Sequence, residues 1–211
     1  MRLRDILFLP GHPATPGLRS AIDVVDALHA FPSLPRFPVV WTRHRREQGA
    51  YYGQDRPHHP IKITISSHAA HPALTLLHEV GHLLDHIALN PLKRGFGSDY
   101  DALFAPLLRA WSESMNVRAL DTLLRKHGHQ AASQDRSAMR VQLSACELWA
   151  RTYAQWVVMT SGSVSLRQDL TSLRQTGSHF AGRLCAFQWD DADFIPIMKR
   201  TDELLREAGL R

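Results

Sequence analysis

His78-Glu79-Val80-Gly81-His82 sets two imidazoles four residues apart, with a carboxylate directly after the first. On a helix, side chains at i and i+4 lie one above the other on the same face. Two imidazoles so placed can bind one metal ion, and Glu79 beside them can act on a water held by that ion. The chemistry this pattern points to is hydrolysis assisted by a single Zn²⁺.

The surroundings of the motif strengthen it. From Pro72 to Asn90 the spacing predicts one amphipathic helix. At about 100° per residue, Ala73, Leu76, Val80, Leu83 and Ile87 fall on one side, while His78, Glu79, His82, Asp85 and His86 fall together on the other. Leu74, Leu77, Leu84 and Ala88 widen the apolar arc to roughly half the circumference. Pro72 suits the first turn and Asn90-Pro91 marks the end. A solvated face has no need of three histidines, a glutamate and an aspartate together.

Catalytic zinc takes three protein ligands and keeps a fourth position open. His86 shares the motif face, but eight residues of straight helix place it about 12 Å from His78 along the axis. One ion with bonds of about 2.0–2.1 Å cannot reach both as well as His82. His86 is therefore expected at the rim of the site. Asp85 is a candidate for orienting a ligating imidazole through its second nitrogen. The better third ligand is Glu147, which shares a helix face with Leu143, Ala150, Arg151 and Ala154. Small residues on that face let a second helix come close. The plainer alternative, an exposed Glu147–Arg151 pair at i,i+4, contributes little. Trp149 and Trp156 project to another side and are expected to pack.

The motif followed downstream by Glu147-x-Trp149-Ala150-x-x-Tyr153 resembles the gluzincin branch of zinc metallopeptidases. Within it, the likeness is to the protease domain of anthrax lethal factor and its small phage- and bacterium-encoded relatives. It covers roughly residues 50–160. It implies a zincin-like fold, His78, His82 and Glu147 as the zinc ligands, Glu79 as the general base, and Ile61–Ser66 as a substrate-lining edge strand. The chain departs from the family where a tyrosine stands two helical turns before the glutamate ligand. Here that position is Arg140, and Tyr153 points about 120° away from Glu147. Tyr100, His86 and His179 are the substitutes the chain offers.

The 211 residues are enough for one sizeable core and short for two domains. No run approaches a membrane span, and Ile6-Leu7-Phe8-Leu9 is too short for a signal-peptide core, so a cytoplasmic protein is expected, with export by another route left open. Cys146 and Cys185 fit a reducing compartment or one optional bridge. Burial as small hydrophobes suits them better than catalysis. The net charge of +5 is densest at Arg43-His44-Arg45-Arg46, a cluster able to touch nucleic acid or an acidic substrate. The other basic residues are scattered among acids, so a solvated loop is expected there and a nucleic-acid partner is not.

Strands are expected at Arg4–Leu9, Phe37–Thr42 and Ile61–Ser66, the last from its strict apolar–polar alternation. Helices are expected over Gly17–Ala30, over Asp99–His127 with a break near Asn116, and over Arg136–Thr160, Ser163–Gln175 and Asp190–Ala208. Leu103, Leu107, Leu108, Trp111, Met115, Leu120 and Leu124 are core candidates. The fold expected is α+β and zincin-like, one domain over 1–211. Residues 1–66 form a small mixed sheet with one helix, its edge strand before the active-site helix, and 67–211 are mainly helical. The function expected is a zinc metalloendopeptidase acting on a peptide or protein. The alternative is a noncatalytic, zinc-stabilised structural or binding protein of phage or mobile-element origin. Neither reading sets an oligomeric state.

Overall fold

Apolar residues concentrate on one face of a small sheet and on the helices laid against it. A computed structural model of the chain describes residues 1–44, 48–55, 58–176, 178–180, 183–185 and 187–211, with backbone alone at 55, 58, 178–180 and 183–185. The architecture is α+β: a four-stranded mixed sheet at the front and a helical second half.

The chain opens with a helical turn, α1 (Leu3–Ile6), and a two-residue strand, β1 (Leu7–Phe8). The strand expected over Arg4–Leu9 thus starts as helix and keeps only Leu7–Phe8. Asp26 explains the difference, since its carboxylate accepts the Leu3 and Arg4 backbone N–H groups that a first turn leaves unpaired. Asp26 lies on α2 (Thr15–Leu28), which packs Leu18, Ile22 and Val25 into the core. Then come β2 (Phe37–Thr42), β3 (Gly49–Asp55) and β4 (His58–Ser66).

The sheet order is β1-β2-β4-β3, parallel from β1 through β4 and antiparallel between β4 and β3. This corrects the placing of the edge strand. Ile61–Ser66 lies inside the sheet, and the edge before the motif helix is β3, whose tyrosines and glycines did not read as a strand. Burial shows the same: Ile63 and Ile65 are fully covered, and Thr64 and Ser66 on the other face are buried too. Their hydroxyls donate to the carbonyls of Ala50 and His44. Arg45 and Arg46 of the basic cluster lie outside the described residues.

The motif helix, α3 (Pro72–Leu83), sits on the sheet through Leu76, Leu77, Val80 and Leu83, all fully buried. A π-helical turn continues it from Leu84 to Ala88, closed by the Leu89 N–H donating to the Leu84 carbonyl at 2.9 Å. The second half comprises α4 (Ala105–Glu113), α5 (Met115–His127), α6 (Ser133–Gln142), α7 (Ala145–Ser161), α8 (Val164–Thr176) and α9 (Asp191–Glu207). A hairpin of β5 (Ser178–Phe180) and β6 (Arg183–Cys185), missing from the sequence expectation, precedes α9.

Two breaks matter. Ser114 separates α4 from α5 and caps the second, its hydroxyl accepting from the Val117 N–H. Ser144, in extended backbone, splits the helix expected over Arg136–Thr160 into α6 and α7. Of the expected core positions, Leu107, Trp111 and Leu120 are buried, whereas Leu108 and Met115 lie on the outward side of α4 and at the start of α5 and are exposed.

Helix α7 runs through the centre of the second half. Trp149, Ala150, Tyr153, Trp156, Val157 and Val158 are fully buried. It crosses α3 at Gly81, where an added Cβ would stand 2.8 Å from the Ala150 Cα. The Trp149 indole N–H donates to the Gly81 carbonyl at 2.8 Å, fixing the crossing. No helix among the described residues is long and apolar enough to cross a membrane.

Candidate metal centre

The close crossing of α3 and α7 brings three side chains to one point. His78 and His82 project from successive turns of α3, and Glu147 from the first turn of α7. His78 Nε2 stands 3.3 Å from Glu147 Oε2, and His82 Nε2 stands 3.3 Å from Oε1. One donor atom from each of the three lies within 4.8 Å of the others. Two ligands held tetrahedrally on one ion by bonds of about 2.0–2.1 Å are themselves about 3.3 Å apart. Donor types and spacing therefore fit a metal ion.

The break at Ser144 is part of this fit. It makes Glu147 a first-turn residue, where the helix dipole favours an anion. Burial pushes the Glu147 carboxyl up, but hydrogen bonds and charge from His78 and His82 outweigh burial and hold it well below the usual carboxylate range. The chain thus keeps this donor ionised. The break also dissolves the expected equivalence of Arg140 to a residue two turns before Glu147: Arg140 ends a different helix and is exposed.

Glu79 is buried beside the triad, and both line a cleft of about 1120 Å³. One wall is the edge strand, residues 48–52. The other is formed by Cys146, Arg151, Ala154 and Gln155 of α7 with Leu170 and Leu173 of α8. His71, at the start of α3, is tied across the rim to Asp169 of α8 at 3.1 Å.

Asp85 and His86 occupy the π-helical turn; Asp85 departs from its expected role, while His86 stays outside the triad as expected. Both Asp85 oxygens accept from Ser98, one from its N–H at 2.7 Å and the other from its hydroxyl at 2.5 Å. The expected bond from a ligating imidazole to Asp85 is not made; among the described residues His82 Nδ1 has no partner. Asp85 instead anchors the loop carrying Phe96, whose ring lies 5.4 Å from that of His82. Burial raises the Asp85 carboxyl to about 7, against the lowering effect of the two Ser98 bonds. His86 lies outside the donor triad, and its Nδ1 is 2.8 Å from the Tyr51 hydroxyl.

Of the substitutes for the family tyrosine, Tyr100 is exposed under the Arg94 guanidinium, and the His179 side chain lies outside the described residues. Tyr153 turns to the far side of α7, where its hydroxyl meets His29 Nε2 at 2.7 Å. Tyr51 escaped the sequence reading although it lines the cleft beside the motif. The signal lay in Gly49-x-Tyr51-x-Gly53, one face of a strand with two side chains missing.

Arg151 is not an exposed ion-pair partner of Glu147. It is buried, donates to the carbonyls of Gln142 and Phe187, and thereby ties the end of α6 and the segment before α9 to α7. Desolvation lowers its pKa to about 10, with Glu147 acting in the opposite sense. Cys146 is a free, partly buried thiol, pushed up to about 11 by burial. Comparison with family models, curated proteins and solved structures finds no match for the chain.

Proposed function

We propose that the protein is a zinc-dependent endopeptidase. The observation that carries this reading is the donor triangle of His78, His82 and Glu147 set next to a buried carboxylate in an open cleft. Two histidines and a glutamate make up a donor set used by catalytic zinc, which leaves one position open. When bound there, zinc would supply Lewis acidity and a water acidic enough to ionise near neutral pH.

The chain's own groups do the rest. His78 and His82 donate from one helix face, and Glu147 closes the triad from α7. Glu79 accepts the proton of the attacking water and returns it to the leaving amine. The edge strand β3 can hold an extended peptide by backbone hydrogen bonds alongside these groups.

The test pairs two variants. Glu79→Gln should keep one zinc per chain by metal analysis and lose peptide hydrolysis by about 10²-fold or more. Glu147→Ala should lose the metal itself. Full hydrolysis by Glu79→Gln would sink the mechanism.

A second reading is favoured by the way the triad joins two buried helices: a zinc there would cross-link α3 to α7 and serve structure alone. Zinc-loaded wild type that gains stability yet cleaves no member of a peptide library would establish it.

A further inference from the structure

The edge strand meets the motif helix where a side chain has no room. Gly49 of β3 turns towards α3, and Tyr51 and Gly53 towards His86 in the π-helical turn that continues it. A Cβ at Gly49 would stand 2.5 Å from Thr75 Cγ2, 2.9 Å from Glu79 Oε1 and 2.9 Å from the Thr64 carbonyl oxygen. Non-bonded heavy atoms settle at about 3.5–4.0 Å, so any side chain at residue 49 would overlap the Glu79 carboxylate, which only a bare strand backbone leaves room for. Gly49 is not among the residues with positive φ. Space, not backbone conformation, demands glycine here.

We propose that Gly49 is a positioning residue: the backbone of the edge strand is the wall that holds the Glu79 carboxylate at the cleft. This rests on the reading of Glu79 as the general base. The wall cannot simply recede, because Gly49 pairs with Ile65 of β4, an interior strand. Thr75, one turn before Glu79, is fixed by its hydroxyl donating to the His71 carbonyl at 3.1 Å. Glu79 is only 4% exposed, so its side chain is packed on most sides and opens only onto the cleft. A methyl added at residue 49 therefore presses on the Glu79 carboxylate, on the Thr75 methyl and on the Thr64 carbonyl oxygen of the interior strand, which a second change at Thr75 leaves in place.

The experiment uses the full chain as wild type, Gly49→Ala, and Gly49→Ala combined with Thr75→Ser. The second change removes the methyl that collides at 2.5 Å and keeps the hydroxyl. Zinc content, kcat and KM on a peptide cut by the wild type, and crystal structures of the zinc-loaded proteins are the readouts. Gly49→Ala is expected to bind zinc as the wild type does and hold KM within about threefold. Its kcat should fall by about 10- to 100-fold, the scale of a small misplacement of a reacting group. Its crystal structure should show a displaced Glu79 carboxylate, and the double variant should recover part of both effects.

Unchanged kcat, or a Glu79 carboxylate that does not move, would overturn the proposal. If Gly49→Ala does not fold, the double variant decides: wild-type kcat there would place the conflict on Thr75 alone and also overturn it. A wild type that binds zinc and cuts no peptide refutes the peptidase reading only. The position of Glu79 in the two crystal structures still decides the role of Gly49.

Discussion

Asp85 shows how one side chain can order the surroundings of a candidate site without touching its donor residues. Its carboxylate sits fully buried against Ser98, and burial raises it to about 7. In the unfolded chain an aspartate titrates near about 3.9. Between those values the folded protein holds the extra proton, so stability falls as pH rises through that window. Asp85→Asn keeps both Ser98 bonds, since an amide accepts from the N–H and donates to the hydroxyl. Denaturant unfolding of the metal-free protein should show wild-type stability dropping relative to Asp85→Asn by roughly a few kcal/mol from pH 4.5 to 7.5. Parallel profiles would show that the carboxyl is already ionised throughout.

At the scale of elements, the donor triad exists because α3 and α7 touch backbone to backbone. Gly81 and Ala150 are the contact, and the Trp149 indole fixes its height. Gly81→Ala brings a methyl to 2.8 Å from the Ala150 Cα, a backbone atom with nowhere to go. Overpacking of this kind costs about 1–3 kcal/mol. Because the same shift carries Glu147 away from both histidines, zinc affinity should fall as well. Thermal unfolding and zinc titration of Gly81→Ala check the two effects separately, and wild-type zinc affinity would show that the triad tolerates a wider crossing. The break at Ser144 works with this contact by starting α7 just before Glu147.

For the whole molecule, the proposed metal would join the two helices at the centre of the fold. A ligand that binds only the folded state stabilises it by about 2.7 kcal/mol when its free concentration is 100 times Kd. For a chain of this size that raises Tm by about 5–10 °C. Chelation should therefore lower Tm by this amount, zinc should restore it, and Glu147→Ala should respond to neither. Equal melting of wild type with and without zinc would argue that the site does not hold metal in solution.

The residues by themselves determined which groups face one another along a single element. The 3.6-residue period set Leu76, Val80 and Leu83 against His78, Glu79 and His82, and helix rise removed His86 from the triad. Those are local consequences of backbone geometry along α3; the π-helical turn at Leu84–Ala88, which carries His86, was not legible in the spacing. What depended on chain segments meeting at a distance was not legible. Ile61–Ser66 alternates like a half-buried strand, which fits an edge or an interior place equally; its pairing with β2 and β3 makes it interior. Asp85 lies on the polar face of its helix, but a loop serine reached it before any histidine did. Glu147 could be nominated by residue type alone; its distance from two imidazoles was decided by a glycine on one helix meeting an alanine on the other.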